Sequence, residues 1–238
     1  MTLNDPDLVR EEYASETGLV GRRAAYQWAD GPDALELLFE TVADLRPDSV
    51  LEVGCGSGEL AERMRVDLGA SVVAIDISPR MVELARDRGV DAHLGDIQEL
   101  PFPDASFDCA VAAWMLYHVP DVDRALSELA RVLRPGGRLI AVTNYFDHLS
   151  ELRALAVTRP DPEWAFSGDN GRALLARYFG AVDEQEAAGT IRFPDRDAVV
   201  SYIRSSITLM GGAEERLPQF EPPFIVRRHP TIFVASKS

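Results

Sequence analysis

Only two cysteines occur in the 238 residues, Cys55 and Cys109, which excludes a disulfide framework and a cysteine-built zinc site. No His, Cys, Asp and Glu cluster has metal-ligand spacing on a local element, so no metal is expected. Basic residues are scarce: 24 Lys and Arg stand against 39 Asp and Glu, a formal net charge of -15. A chain so acidic lacks the clustered cations that nucleic-acid phosphates require, and anionic membranes repel it. No apolar run approaches the length of a membrane span. The stretch Met1 to Tyr13 is polar and acidic, without the basic and apolar regions of a signal peptide, so a cytoplasmic protein is expected. No internal repeat or low-complexity segment is evident. What remains, 46% hydrophobic and 26% charged residues, suits a globular fold with one full core.

The informative stretch is Ser49-Val50-Leu51-Glu52-Val53-Gly54-Cys55-Gly56-Ser57-Gly58. Apolar residues around an acid, then glycine at every second position, then a helical run from about Glu59 to Leu68, predict strand, tight turn and helix. Glycine permits backbone angles denied to other residues and lets a ligand approach the main chain. The helix N-terminus behind it favours a polar ligand there. A dinucleotide fingerprint needs a third glycine where this chain has Glu59.

Further strands are predicted at Ser71–Asp76, Val90–Leu94, Phe107–Ala113 and Arg138–Thr143, with helices between them. Asp33 and Ser78 are placed to cap helices, and Pro79 sits at a first-turn position. A helix over Asp121–Leu133 is expected to stop at Arg134-Pro135-Gly136-Gly137. Alternating strands and helices imply a parallel sheet covered on both faces. Ligands of such sheets lie beyond the carboxyl ends of the strands, where Glu52, Asp76 and Asp96 fall. A carboxylate at Asp76 suits the two hydroxyls of a ribose, in NAD or in another nucleoside cofactor.

Glu52-Val53-Gly54-Cys55-Gly56-Ser57-Gly58 resembles the glycine-rich motif of class I S-adenosylmethionine-dependent methyltransferases. Leu100-Pro101-Phe102-Pro103-Asp104-Ala105-Ser106-Phe107-Asp108 and Arg131-Val132-Leu133-Arg134-Pro135-Gly136-Gly137-Arg138-Leu139 resemble two further segments of that family's small-molecule, type 11 group. The resemblance covers about residues 48 to 143. It implies a Rossmann-like α/β sheet, mostly parallel, with an antiparallel last strand and helices on both faces. It implies S-adenosyl-L-methionine as cofactor, with S-adenosyl-L-homocysteine as product, and a small-molecule acceptor methylated at oxygen or nitrogen. No Asn-Pro-Pro-Tyr or Asp-Pro-Pro-Tyr motif of DNA amino-methyltransferases follows the fourth strand.

The resemblance also assigns residues. Glu52, Gly54, Cys55, Gly56 and Asp76 belong to the cofactor site. Asp96 meets the adenine amino group, Ile97 packs on the ring and Ile77 on its other face, and Trp114 lies where the methyl should be. An N-terminal arm covers the methionine end, with Tyr13 and Arg23 as choices for its carboxylate. His118, after the fourth strand, is the candidate general base, its ordinary pKa near 6.5 suiting neutral pH; packing or holding the cofactor are the other roles open to it.

Residues 1–31 are read as this helical arm and 32–238 as one domain, with a cofactor half over 48–143 and acceptor-side lid elements over about 144–230. Trp164, Phe166, Tyr202 and Met210 are candidate pocket walls, and Asn144, His148 and His229 polar candidates. A monomer or homodimer is expected. Two other readings stay open: a nucleotide-dependent oxidoreductase, and a module that binds S-adenosylmethionine without turnover.

Overall fold

The computed structural model describes residues 9, 17–156, 164–205 and 217–238. Helix α1 (Thr17–Ala24), a 3-10 turn (Ala25–Trp28) and the two-residue strand β1 (Ala29–Asp30) make up the described part of the arm. Helix α2 (Ala34–Leu45) starts where Asp33 accepts the N–H groups of Leu35 and Glu36, and ends at Arg46, whose left-handed backbone turns the chain before Pro47. Then follow β2 (Ser49–Val53), α3 (Glu59–Asp67), β3 (Ser71–Asp76), α4 (Pro79–Asp87), β4 (Asp91–Leu94), β5 (Phe107–Ala113) and α5 (Val122–Val132). Ser78 caps α4 with Pro79 in its first turn, as its sequence predicts.

Strand β6 (Leu133–Asn144) begins without a gap after α5. The expected stop at Arg134–Gly137 is therefore not a loop: those residues lie within the strand. The register against β5 shifts there, from Phe107 opposite Leu133 to Cys109 opposite Arg138, so they form an irregularity that realigns the strand. The chain continues through α6 (Ser150–Ala156), α7 (Gly171–Leu175), β7 (Val182–Glu186), β8 (Gly189–Phe193), α8 (Arg196–Arg204), β9 (Phe224–Arg228) and β10 (Pro230–Ser236).

Seven strands pair in the order β4-β3-β2-β5-β6-β10-β7, and β10 is antiparallel to both of its neighbours. Alternation along each strand sends side chains to two cores. Leu51, Val53, Ala110, Ala112, Leu139 and Phe233 pack with Leu126 and Leu129 of α5 on one face. Val50, Val72, Ala74, Val111, Ile140 and Ile232 pack with Leu38 and Val42 of α2 and Met64 of α3 on the other.

A second sheet, β1-β8-β9, was not expected from the sequence. The stretch Val182–Phe193 divides at Ala187–Ala188 between the two sheets. The buried Ala187 donates its N–H to Pro230 and ends the pairing with β10. Ala25, Leu149, Leu152, Ile191, Phe193, Val199, Ile203 and Val226 form a third, smaller core beneath this sheet. The arm thus contributes one edge strand, β1, to the small sheet. Among the described residues no helix is long and apolar enough to cross a membrane, and no group of His, Cys, Asp and Glu is arranged to hold a metal.

Candidate cofactor and acceptor site

Strand β2 delivers Glu52 to the turn on the face it shares with Val50, where it is 3% exposed and its carboxyl accepts the N–H of Ala61 on α3. Its Oε2 is sealed from solvent and has no hydrogen-bond partner among the described residues. Burial, and then the charge of Asp76, push its pKa up to about 8, against the Ala61 N–H. Asp76 ends β3 and is itself buried; its Oδ2 accepts the N–H of Gly56 (2.9 Å) and its Oδ1 that of Ser78 (2.8 Å). Burial raises its pKa, opposed by the N–H groups of Ser78, Gly56 and Ile77.

The turn is held shut by its own backbone. Gly54 and Cys55 both donate to the Ile75 carbonyl (2.8 and 3.1 Å), and Gly58 donates to Cys55 (3.0 Å). Gly54, Gly56 and Gly58 all have positive φ. A Cβ on Gly54 would lie 2.8 Å from the Met115 side chain, so the turn fits closely beneath the loop after β5. The N–H groups of Gly54, Cys55, Gly56 and Gly58 are therefore committed internally, whereas a dinucleotide turn keeps such groups for pyrophosphate. Two buried carboxyls with acceptor capacity left over stand at the turn instead. They suit hydroxyl and ammonium donors and repel phosphate. The donor set thus fits the ribose and amino group of S-adenosylmethionine.

The other predicted residues surround this centre unevenly. Asp96 accepts from the backbone and side chain of Gln98. Ile77 is half-buried, but Ile97 is 5% exposed and packed into the first core. Trp114, with positive φ, donates from Nε1 to Asn144 Oδ1 (3.3 Å), which ties the end of β5 to the end of β6. His118 is half-buried in the 3-10 turn Leu116–His118, its ring 4.5 Å from that of Tyr117. Tyr117 contacts Trp164, and Trp164 contacts Phe146, so three rings form an aromatic wall beyond β5 and β6.

Arg23 does not stand over the cofactor region as a lone cation: it pairs with Glu59 at the start of α3, which fastens the arm beside the glycine turn. Tyr13 and Met210 lie outside the described residues. Phe166 and Tyr202 are buried, packed on Phe233 and Phe193. Burial raises the pKa of both thiols, Cys109 to about 12, so neither is a thiolate near neutrality.

On the acceptor side, sequence reasoning named Asn144, His148 and His229 without a geometry and missed Arg228. His229 bridges Asp147 (2.6 Å) and Glu186 (3.2 Å) and stacks on Tyr145. Arg228 is 2% exposed. Its signal was the alternation Phe224, Val226, Arg228, which puts a cation on the inward face of β9.

Residues 51–141 match a family described as a methyltransferase domain. The 27-O-demethylrifamycin SV methyltransferase of Amycolatopsis mediterranei is 41% identical over 128 residues, 47% of this chain and 47% of that protein. The ubiquinone/menaquinone biosynthesis C-methyltransferase of Hahella chejuensis is 41% identical over 104 residues, 40% of this chain and 42% of that protein. The chain spans about half the length of the curated relatives it matches. A crystal structure of the [4+2]-cyclase SpnF superposes with a TM-score of 0.65 at 19% identity, covering 100% of this chain and 97% of that one. A likeness at that identity speaks for the fold alone. Sheet order, glycine turn and paired acids agree with the match of residues 51–141 to a methyltransferase domain, and the cofactor that this likeness implies is S-adenosylmethionine.

Proposed function

We propose that the protein transfers a methyl group from S-adenosylmethionine to an oxygen or nitrogen of a small-molecule acceptor. The observation that carries this is the pair Glu52 and Asp76, two buried carboxyls at a turn whose N–H groups are already used. The bound cofactor would supply an electrophilic methyl on a sulfonium. Asp76 would hold the ribose hydroxyls, and Glu52, through its unpartnered Oε2, a donor of the methionine portion. Asp96, Ile97 and Ile77 would frame the adenine, and the arm, fastened through Arg23 and Glu59, would cover the site.

Trp114, fixed by Asn144, and the wall of Tyr117, Trp164 and Phe146 exclude water and orient an apolar acceptor body along the edge of the sheet. Alignment of this kind supplies a large share of the acceleration in a direct displacement. His118, in the 3-10 turn that follows β5, would take the proton of a hydroxyl acceptor. Calorimetric titration with S-adenosylmethionine, S-adenosylhomocysteine and NAD tests the reading. Selective binding of the first two, with turnover to S-adenosylhomocysteine, is expected; binding of NAD alone would overturn it.

A further inference from the structure

Two buried side chains on the acceptor side keep N–H groups without an acceptor among the described residues. Arg228 is 2% exposed and has no carboxylate partner among the described residues. Its Nη2 donates to the carbonyls of Asp30 (3.2 Å) and Pro32 (2.6 Å), and its Nε is sealed from solvent with no partner. A guanidinium has five N–H groups and no acceptor, so two carbonyls leave most of its capacity unused. A buried cation without an anion is strongly disfavoured.

His148 lies beside it and is 6% exposed. Its Nδ1 accepts the backbone N–H of His229 (2.9 Å), which fixes the proton of the neutral ring on Nε2. That Nε2–H has no acceptor among the described residues. Burial, Arg153 and Arg228 together hold the ring neutral, with a pKa near 3, although Asp147 pulls the other way. Asp147 itself is occupied by Arg227 and His229 and offers Arg228 no ion pair.

The position is informative. His148 follows β6, and Arg228 precedes β10, whose first residue Pro230 lies opposite Asn144 at the carboxyl end of β6. Both therefore belong to the same edge of the sheet as the glycine turn, two strand spacings, about 10 Å, beyond β5. We propose that His148 Nε2–H and the Arg228 guanidinium form an anion-binding end of the acceptor site, and that the acceptor carries a carboxylate or phosphate about that far from the atom methylated. The proposal rests on the methyl-transfer reading. The bonds from Arg228 to Asp30 and Pro32 would link the anion to the arm, since the same side chain holds both.

The full-length protein, saturated with S-adenosylhomocysteine, is titrated with 4-hydroxycinnamate, its primary amide and the corresponding vinylphosphonate. Binding of the acid, the phosphonate or both at least tenfold tighter than the amide is expected, and the tighter of the two names the source as carboxylate or phosphate. Arg228→Gln should erase that preference, and His148→Ala reduce it. Because Arg228 also ties the arm, the wild-type comparison is paired with the 15N resonances of the His148 ring. The Nε2–H signal should move with the acid or the phosphonate and not with the amide. Equal binding of acid, phosphonate and amide, or binding of none of them by a protein that binds S-adenosylhomocysteine, overturns the anion site. Failure to bind S-adenosylhomocysteine overturns the methyltransferase reading instead.

Discussion

At the scale of single residues the acids dominate. Glu52 has a folded-state pKa near 8 against 4.5 for an ordinary carboxyl, so the native state holds a proton that the unfolded chain has released. Its contribution to stability is full below about pH 4.5 and is lost as pH rises toward 8. Glu52→Gln removes that titration. Relative to wild type, the variant should gain about 1–3 kcal/mol between pH 6 and pH 9, the scale of one to two pKa units. Chemical denaturation at the two pH values reads this. Asp76→Ala should weaken cofactor binding by about 1.5–3 kcal/mol, the range for hydrogen bonds to a charged group, and calorimetry showing unchanged affinity would refute the ribose contact. His118→Ala should lower kcat roughly 100-fold with the cofactor Kd unchanged; a full-rate variant would leave His118 as a wall.

Among the elements, the strand–turn–helix unit sets the tolerances. Gly58 and Gly69 share positive φ, +79 and +67, but not surroundings. A Cβ on Gly58 would lie 2.6 Å from Ala85 Cβ and 2.8 Å from its Cα, driving α3 away from α4. One on Gly69 would meet nothing within 4 Å. Gly69→Ala should therefore cost only the left-handed backbone strain, about 1 kcal/mol, while Gly58→Ala should add about 1–3 kcal/mol of overpacking. Thermal melts of the pair measure the difference. The same closeness explains why the turn after β2 and the end of β3 form one site: α3 and α4 meet at Gly58, and Asp76 bonds back to Gly56.

For the whole molecule, short links join the two sheets: Ala187–Ala188 between β7 and β8, and His229 alone between β9 and β10. The joint is stiff, because His229 is held by Asp147, Glu186 and the Tyr145 ring, and Arg228 reaches across to Asp30 and Pro32. The small core under the second sheet should therefore unfold together with the main sheet. Far-UV circular dichroism and tryptophan fluorescence are expected to give one coincident transition, and two separated midpoints would show that the small sheet is an independent unit. The arm belongs to this joint as well, through β1 and the pair Arg23–Glu59, so arm position and cofactor turn are mechanically linked.

Local patterns determined much of this in advance. Period-two apolar runs, caps at Asp33 and Ser78, and acids at strand ends each act within a few residues, so the strands of residues 49–143, their parallel direction and the strand-end positions of Glu52, Asp76 and Asp96 are legible from the chain alone. Glycine spacing and Glu59 separated the cofactor class by the same short-range logic. Beyond about residue 144 local signals weaken, because short strands such as Val182–Glu186 and Gly189–Phe193 carry similar patterns and are sorted between sheets only by partners far along the chain. Arg23 finds Glu59 across 36 positions, His229 finds His148 across 81, and Arg228 finds Pro32 across 196. No window of sequence contains such pairs. Tertiary packing alone decides which polar groups are buried together, and so which are left holding an unused hydrogen bond.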